Sequence, residues 1–214
     1  MKKLISLLLV LTLAMSLVAC GTAGSGDTTP STTESTTEST GMIEDNVSGT
    51  QDTVVTPEPN EATKVFTAIW NAVAEDKKFF AMGGDMNSMV DNAPGNYSLE
   101  DEGVTTVLYV PAEQIQNLAE ISSLMHGMMA NHFTGGVFRL TEGADATAFA
   151  DAMKASIENA QWICGTPEKM LITVIDGEYV LAAFGLNDNI AAFEAALDIA
   201  YADAEVKYAE AITG

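Results

Sequence analysis

The sequence predicts an α+β fold: a small two-layer sandwich with an antiparallel or mixed sheet and helices packed on one face. Three observations carry that expectation. Segments with apolar residues at helical spacing alternate with short β-branched and aromatic runs, so neither helix nor strand dominates. Asp176-Gly177 separates two such runs, MLITVI and EYVLAAF. An Asp-Gly pair suits a two-residue hairpin, whose central residues both take positive φ, and a hairpin is antiparallel. Each helical segment also shows a single apolar stripe, the pattern of a helix lying on a sheet.

The elements follow in order. Asn60 is placed to cap a helix in which Val65, Phe66, Ile69 and Val73 recur at helical spacing through Asp76. Residues 79–103 hold Gly83-Gly84, Asn92-Ala93-Pro94-Gly95 and the acidic Glu100-Asp101-Glu102, and read as loop with at most one helical turn. Residues 104–110 (VTTVLYV) read as a strand. Pro111 suits the first turn of a helix carrying Ile115, Leu118, Ser122 and Met125. Gly135-Gly136 punctuates, and residues 137–140 form a short strand. Asp145 caps a helix with the stripe Ala146, Phe149, Ala150, Met153, Ile157 and Ala160. Strands 170–175 and 178–184 make the hairpin. Asn187 then caps a last helix with Ile190, Phe193, Leu197, Tyr201, Ala204 and Tyr208 in register.

Ahead of the globular part, assigned to residues 61–214, the chain changes character twice. Met1-Lys2-Lys3 is positive, and residues 4–18 are apolar apart from Ser6, Thr12 and Ser16. That run is short for a spanning helix and reads as a signal peptide over residues 1–19. It ends in Leu17-Val18-Ala19-Cys20, which resembles the bacterial lipobox. The resemblance implies cleavage before Cys20 and a diacylglyceryl group, with its palmitate-type chains, on the Cys20 thiol. Two such chains hold a protein on a membrane stably, at about 0.8 kcal/mol per buried CH₂. Residues 20–60 are rich in Thr, Ser, Gly and acids and lack aromatic residues. Such a composition cannot bury enough apolar surface to fold, so it predicts a disordered stalk. As a forty-residue coil it would span roughly 35 Å. The expected location is therefore the extracytoplasmic face of a cell membrane.

Charge narrows the partners. Thirty Asp and Glu face nine Lys and Arg, for a formal net charge of −21. Nucleic acid needs clustered cations, which are absent, so it is excluded as a partner. The charge would also repel an anionic membrane surface, leaving the lipid on Cys20 as the membrane contact. With Cys20 alkylated, Cys164 has no partner for an internal disulfide, and its apolar setting, Gln161-Trp162-Ile163, suggests a buried structural thiol.

The segment from Phe138 to Phe184 resembles a family of uncharacterised lipoproteins of Gram-positive bacteria that share a C-terminal domain of unknown function. The likeness rests on Ala144-Asp145 at a helix start, Trp162-Ile163-Cys164, and Gly177-Glu178 between two strands, and it covers about residues 80–205. The family has no assigned activity. The resemblance therefore implies a fold and a surface location without implying a reaction.

One stretch tempts a chemical reading. LMHGMMANHF, residues 124–133, holds three methionines and the only two histidines, and Met82, Met86 and Met89 form a second cluster at helical spacing. Clustered thioethers and imidazoles suit Cu(I). On a helix, however, His126 and His132 would lie about 240° apart and could not share a ligand. Met125 and Met129 would continue an apolar stripe, so core packing is expected and no metal site is assigned. Asp85, Asn87 and Asp91 hint at a calcium loop but lack the central Gly and terminal Glu of an EF-hand. The sole arginine, Arg139, is expected to be solvated on a strand, with a carboxylate ligand as the alternative. There is no nucleophile elbow, HExxH pair or phosphate loop, so no catalytic residue and no cofactor are assigned. The expected role is a non-enzymatic surface module for a partner protein, wall component or small ligand. The alternatives are an accessory subunit of a transport or wall complex, and an extracytoplasmic hydrolase with an unmarked carboxylate site.

Overall fold

The computed structural model describes residues 57–213. The expected signal peptide, Cys20 and the expected stalk up to residue 56 lie outside the described residues. In chain order the elements are α1 (Glu61–Ala72), β1 (Ala81–Gly83), β2 (Val90–Asp91), β3 (Gly95–Tyr97), α2 (Gly103–Thr106) and β4 (Leu118–His126). They continue with β5 (Phe133–Leu140), α3 (Ala146–Glu158), β6 (Lys169–Ile175), β7 (Tyr179–Gly185), α4 (Asn187–Ala200) and β8 (Glu205–Ala211).

Local chemistry sets the clearest boundaries. Asn60 Oδ1 accepts from Thr63 N at 2.8 Å and starts α1. Asp145 Oδ1 accepts from Thr147 N and Ala148 N and starts α3. Asp176 and Gly177 take φ of 53° and 70° in the β6–β7 hairpin, as that dipeptide predicts, but Ile175 pairs with Tyr179, so Glu178 joins them in a three-residue connection instead of a two-residue one.

All strand pairs are antiparallel, in a single eight-stranded sheet ordered β2-β1-β4-β5-β7-β6-β8, with β3 sharing the flank of β4 beside β1. The α+β class and the antiparallel sheet are as the sequence predicts. The placement of the helices differs in one respect. Met170, Ile172, Val174, Val180, Ala182 and Phe184 pack in the cluster built by α3. Leu171, Ile175, Leu181 and Ala183 pack with α1 and α4. Helices therefore cover both faces instead of one. The uninterrupted apolar runs of β6 and β7 are what a strand buried on both sides requires.

Five segments depart from expectation, each for a tertiary reason. Gly135-Gly136 does not punctuate: both residues lie inside β5, opposite Leu124 and Ser123 of β4 and Ala183 and Ala182 of β7. Residues 104–110 form α2 and a turn instead of a strand. Asp101 Oδ1 accepts from Gly103 N at 2.7 Å, and Val104, Leu108 and Val110 bury their side chains under α3 without joining the ladder. Only 112–117 of the expected helix after Pro111 is helical, as a 3₁₀ segment; the rest is β4, which pairs with β5 along its length and is flanked by β1 and β3. Residues 79–103 contain three very short strands in place of pure loop. Asn187 is the first residue of α4 rather than its cap, and the helix stops at Ala200. The chain then returns as β8 along β6, so Tyr208 is a strand residue whose hydroxyl donates to Asp151 Oδ1 on α3 at 2.7 Å.

Candidate functional site

The site grows out of the pairing of β1 with β4. Met82 lies opposite Met125, and Ala81 opposite His126. Successive residues of a strand point to opposite faces, so the pleat separates Met125 from His126. The His126 ring stacks on Phe79 with centroids 5.0 Å apart and meets His132 edge-on at 5.2 Å. Phe79 in turn packs on Trp70 and Phe133, in the core of α1 and α4. His126 Nδ1 accepts from Met128 N at 3.2 Å. Burial, with His132 beside it, holds the His126 imidazole below the usual range, so it is neutral near pH 7.

Met82 and Met125 join the lining of a cavity of about 280 Å³, with His126, Tyr97 and Val107 among its other walls. Met86 and Met89 enter from the β1–β2 connection, and Met128 and Met129 from the turn after β4. Of the eight methionines among the described residues, six meet here, and only Met153 and Met170 are core. Met86 is 80% and Met128 84% exposed. Core filling therefore does not explain these residues, and the expectation that it would is corrected. It assumed a helix; strand and turn geometry brings together two clusters that lie nearly forty residues apart. The signal available in the sequence was composition, since Gly83, Gly84, Asn87, Gly127 and Asn131 are interspersed among these methionines.

A buried carboxylate shapes the rim. Asp85 is 6% exposed, and its Oδ1 accepts from Asn87 N (2.9 Å), Ser88 N (3.0 Å) and Ser88 Oγ (3.0 Å), while Oδ2 accepts from Ser98 N (3.0 Å). Burial pushes this carboxyl up, but the bonds from Ser98, Asn87 and Ser88 together outweigh it and leave it below the usual range. Its lone pairs serve the loop, which is why the Asp85, Asn87, Asp91 pattern is a scaffold and not a calcium loop. The buried hydroxyls of Ser122 and Ser123 on β4 donate to Gly95 O and Gly84 O and tie the same loops down. Glycine is required where they cross: a Cβ on Gly83 would stand 2.3 Å from Ala93 O.

The remaining candidates lie elsewhere. Arg139 bridges Glu178 (2.6 Å) and Glu120 (3.2 Å), so two glutamates already occupy the guanidinium considered above for a carboxylate ligand. It borders a larger, polar hollow of about 600 Å³. Trp162 packs on Tyr109 and Phe184 at about 5 Å. Cys164, expected to be buried, is exposed at φ 65° in a loop whose Ile163 is 81% exposed. That loop does not enter the sheet; Asn131 Nδ2 fastens it by donating to Ile163 O and Gly165 O. Among the described residues, no group of three or more His, Cys, Asp or Glu is arranged to hold a metal, and no helix is long and apolar enough to cross a membrane. No family model, curated protein or solved structure matches the chain.

Proposed function

We propose that the chain is a lipid-anchored extracytoplasmic binding module, held by Cys20, that engages its ligand through the methionine-lined cavity without catalysing a reaction. The observation that carries the reading is the exposure of Met86, Met89, Met128 and Met129 around one opening. Large apolar side chains left in solvent at one place mark an interaction site, whereas scattered ones need no explanation. Thioether chains are flexible and polarisable, which suits a surface that closes on what it binds. The lipobox-like Leu17-Val18-Ala19-Cys20 and the polar stalk support the anchor, and membership of the lipoprotein family named above is part of the same proposal. The hydrolase alternative has less support, because the closest carboxylates around Arg139 neutralise that cation.

Two readouts test this. An alkyne-tagged fatty acid fed to cells should label the wild-type chain, and Cys20→Ser should abolish the label and the membrane attachment. Brief peroxide treatment should oxidise Met86 and Met128 in the purified protein and spare them in intact cells, where the cavity is occupied. Equal oxidation in both settings would remove the binding site from the proposal, and persistent label on the Cys20→Ser chain would remove the anchor.

A further inference from the structure

We infer that the cavity is a thioether site for a soft monovalent ion, Cu(I), with Met82 and Met125 as its floor and Met86, Met89, Met128 and Met129 as its rim. This rests on the proposal that the cavity is the binding site, and it names the ligand class. The donor set decides the ion. Thioether sulfur is soft and uncharged, so it selects Cu(I) over Zn²⁺, Mg²⁺ or Ca²⁺, which prefer imidazole, thiolate or oxygen. Of the harder donors, both Asp85 oxygens accept hydrogen bonds from the loop, and His126, which also lines the cavity, accepts one at Nδ1 from Met128 N.

Shape supports the same choice. A cleft for an apolar peptide would be built as well from Leu, Ile or Phe, yet none of these lines the cavity, and its aliphatic walls beyond methionine are Val107 and Ala130. Sulfur is the one property these six side chains share and their neighbours lack. At about 280 Å³ the space is also small for anything but a compact ligand. The rim residues sit on two connections, one between β1 and β2 and the other between β4 and β5, so their long side chains can swing inward over an ion resting on Met82 and Met125. A net charge of −21 raises the local concentration of cations and offsets the absence of charge in the ligand set.

The test uses the full chain in detergent under anaerobic conditions, with Cu(I) supplied as its complex with a chromophoric chelator. With Cys164 changed to Ser, so that its exposed thiol takes no Cu(I), the otherwise wild-type chain should withdraw one equivalent. Changing Met86, Met89, Met128 and Met129 together to Leu should weaken binding by roughly a hundredfold or more while leaving the melting temperature nearly unchanged, since those residues are exposed. Methyl spectra of ¹³C-labelled methionine titrated with Ag(I), a redox-inert probe, should shift the six cavity resonances and leave Met153 and Met170 in place. A wild type that takes no Cu(I) from the chelator would overturn the inference, as would a Leu variant that binds as tightly. If the cavity methionines are nonetheless protected from peroxide in cells, the binding site stands and only the ion is wrong.

Discussion

Replacing Asp85 by Ala probes the physics that holds the cavity open. The carboxylate accepts four hydrogen bonds, three of them from backbone N–H groups, at a position 6% exposed. Hydrogen bonds to a charged group contribute about 1.5–3 kcal/mol each, and a simple sum would exceed what one residue ever supplies. Three of the four share Oδ1, and water can reach part of the vacated loop. The expected loss is therefore about 3–5 kcal/mol, against a total stability of about 5–15 kcal/mol for a domain. Asp85→Asn should lose about 2 kcal/mol, because the amide oxygen can keep the three Oδ1 bonds while its NH₂ faces the Ser98 N–H, donor against donor. The pH dependence has a definite sign. The folded carboxyl titrates below its ordinary value of 3.8, so its stabilisation is complete above that value and is lost as pH falls through the folded one. Urea unfolding followed by tryptophan fluorescence suits the purpose, since Trp70 Nε1 donates to Asn92 O within the affected region. Run between pH 2 and pH 5, it should show an acid limb in the wild type that is shallower in the Ala variant. A loss under 1 kcal/mol with parallel pH profiles would refute the claim that Asp85 organises the loop.

Two further outcomes are expected. Phe193 is fully buried and touches Phe133 (centroids 4.2 Å), Trp70 (5.8 Å) and Phe66 (6.3 Å), so Phe193→Ala should cost about 4–5 kcal/mol in chemical denaturation. Thr173 on β6 is fully buried and its Oγ1 has no partner among the described residues, so Thr173→Val should raise stability by about 1 kcal/mol, read from the urea midpoint.

What could be read from the sequence was whatever short-range chemistry decides. The caps at Asn60 and Asp145 and the Asp176-Gly177 turn each depend on a few adjacent residues, and each is where the sequence predicts it. β4 could not be read that way. LAEISSLMH is flanked on both edges and buried on both faces along its middle, so period-two alternation is blurred, and Ile115, Leu118, Ser122 and Met125 fall at helical spacing by coincidence. The β-branched run 104–110 is satisfied by burial under α3, a choice that only the assembled core makes. The candidate site was half legible. Both methionine clusters are visible as composition, but their meeting depends on the register Met82 to Met125, which no local pattern encodes.

The short strands on the outer side of the cavity, β1, β2 and β3, have three, two and three residues and lie at the opposite flank of the sheet from the doubly covered β6–β7 hairpin, while β4 supplies the inner wall. Such a margin can open on its own at far lower free energy than global unfolding, and its amides should exchange with deuterium long before those of the hairpin. Recognition and scaffold are then separable: loop substitutions around residues 84–94 and 127–131 can retune what is bound while leaving the hairpin and its helices intact.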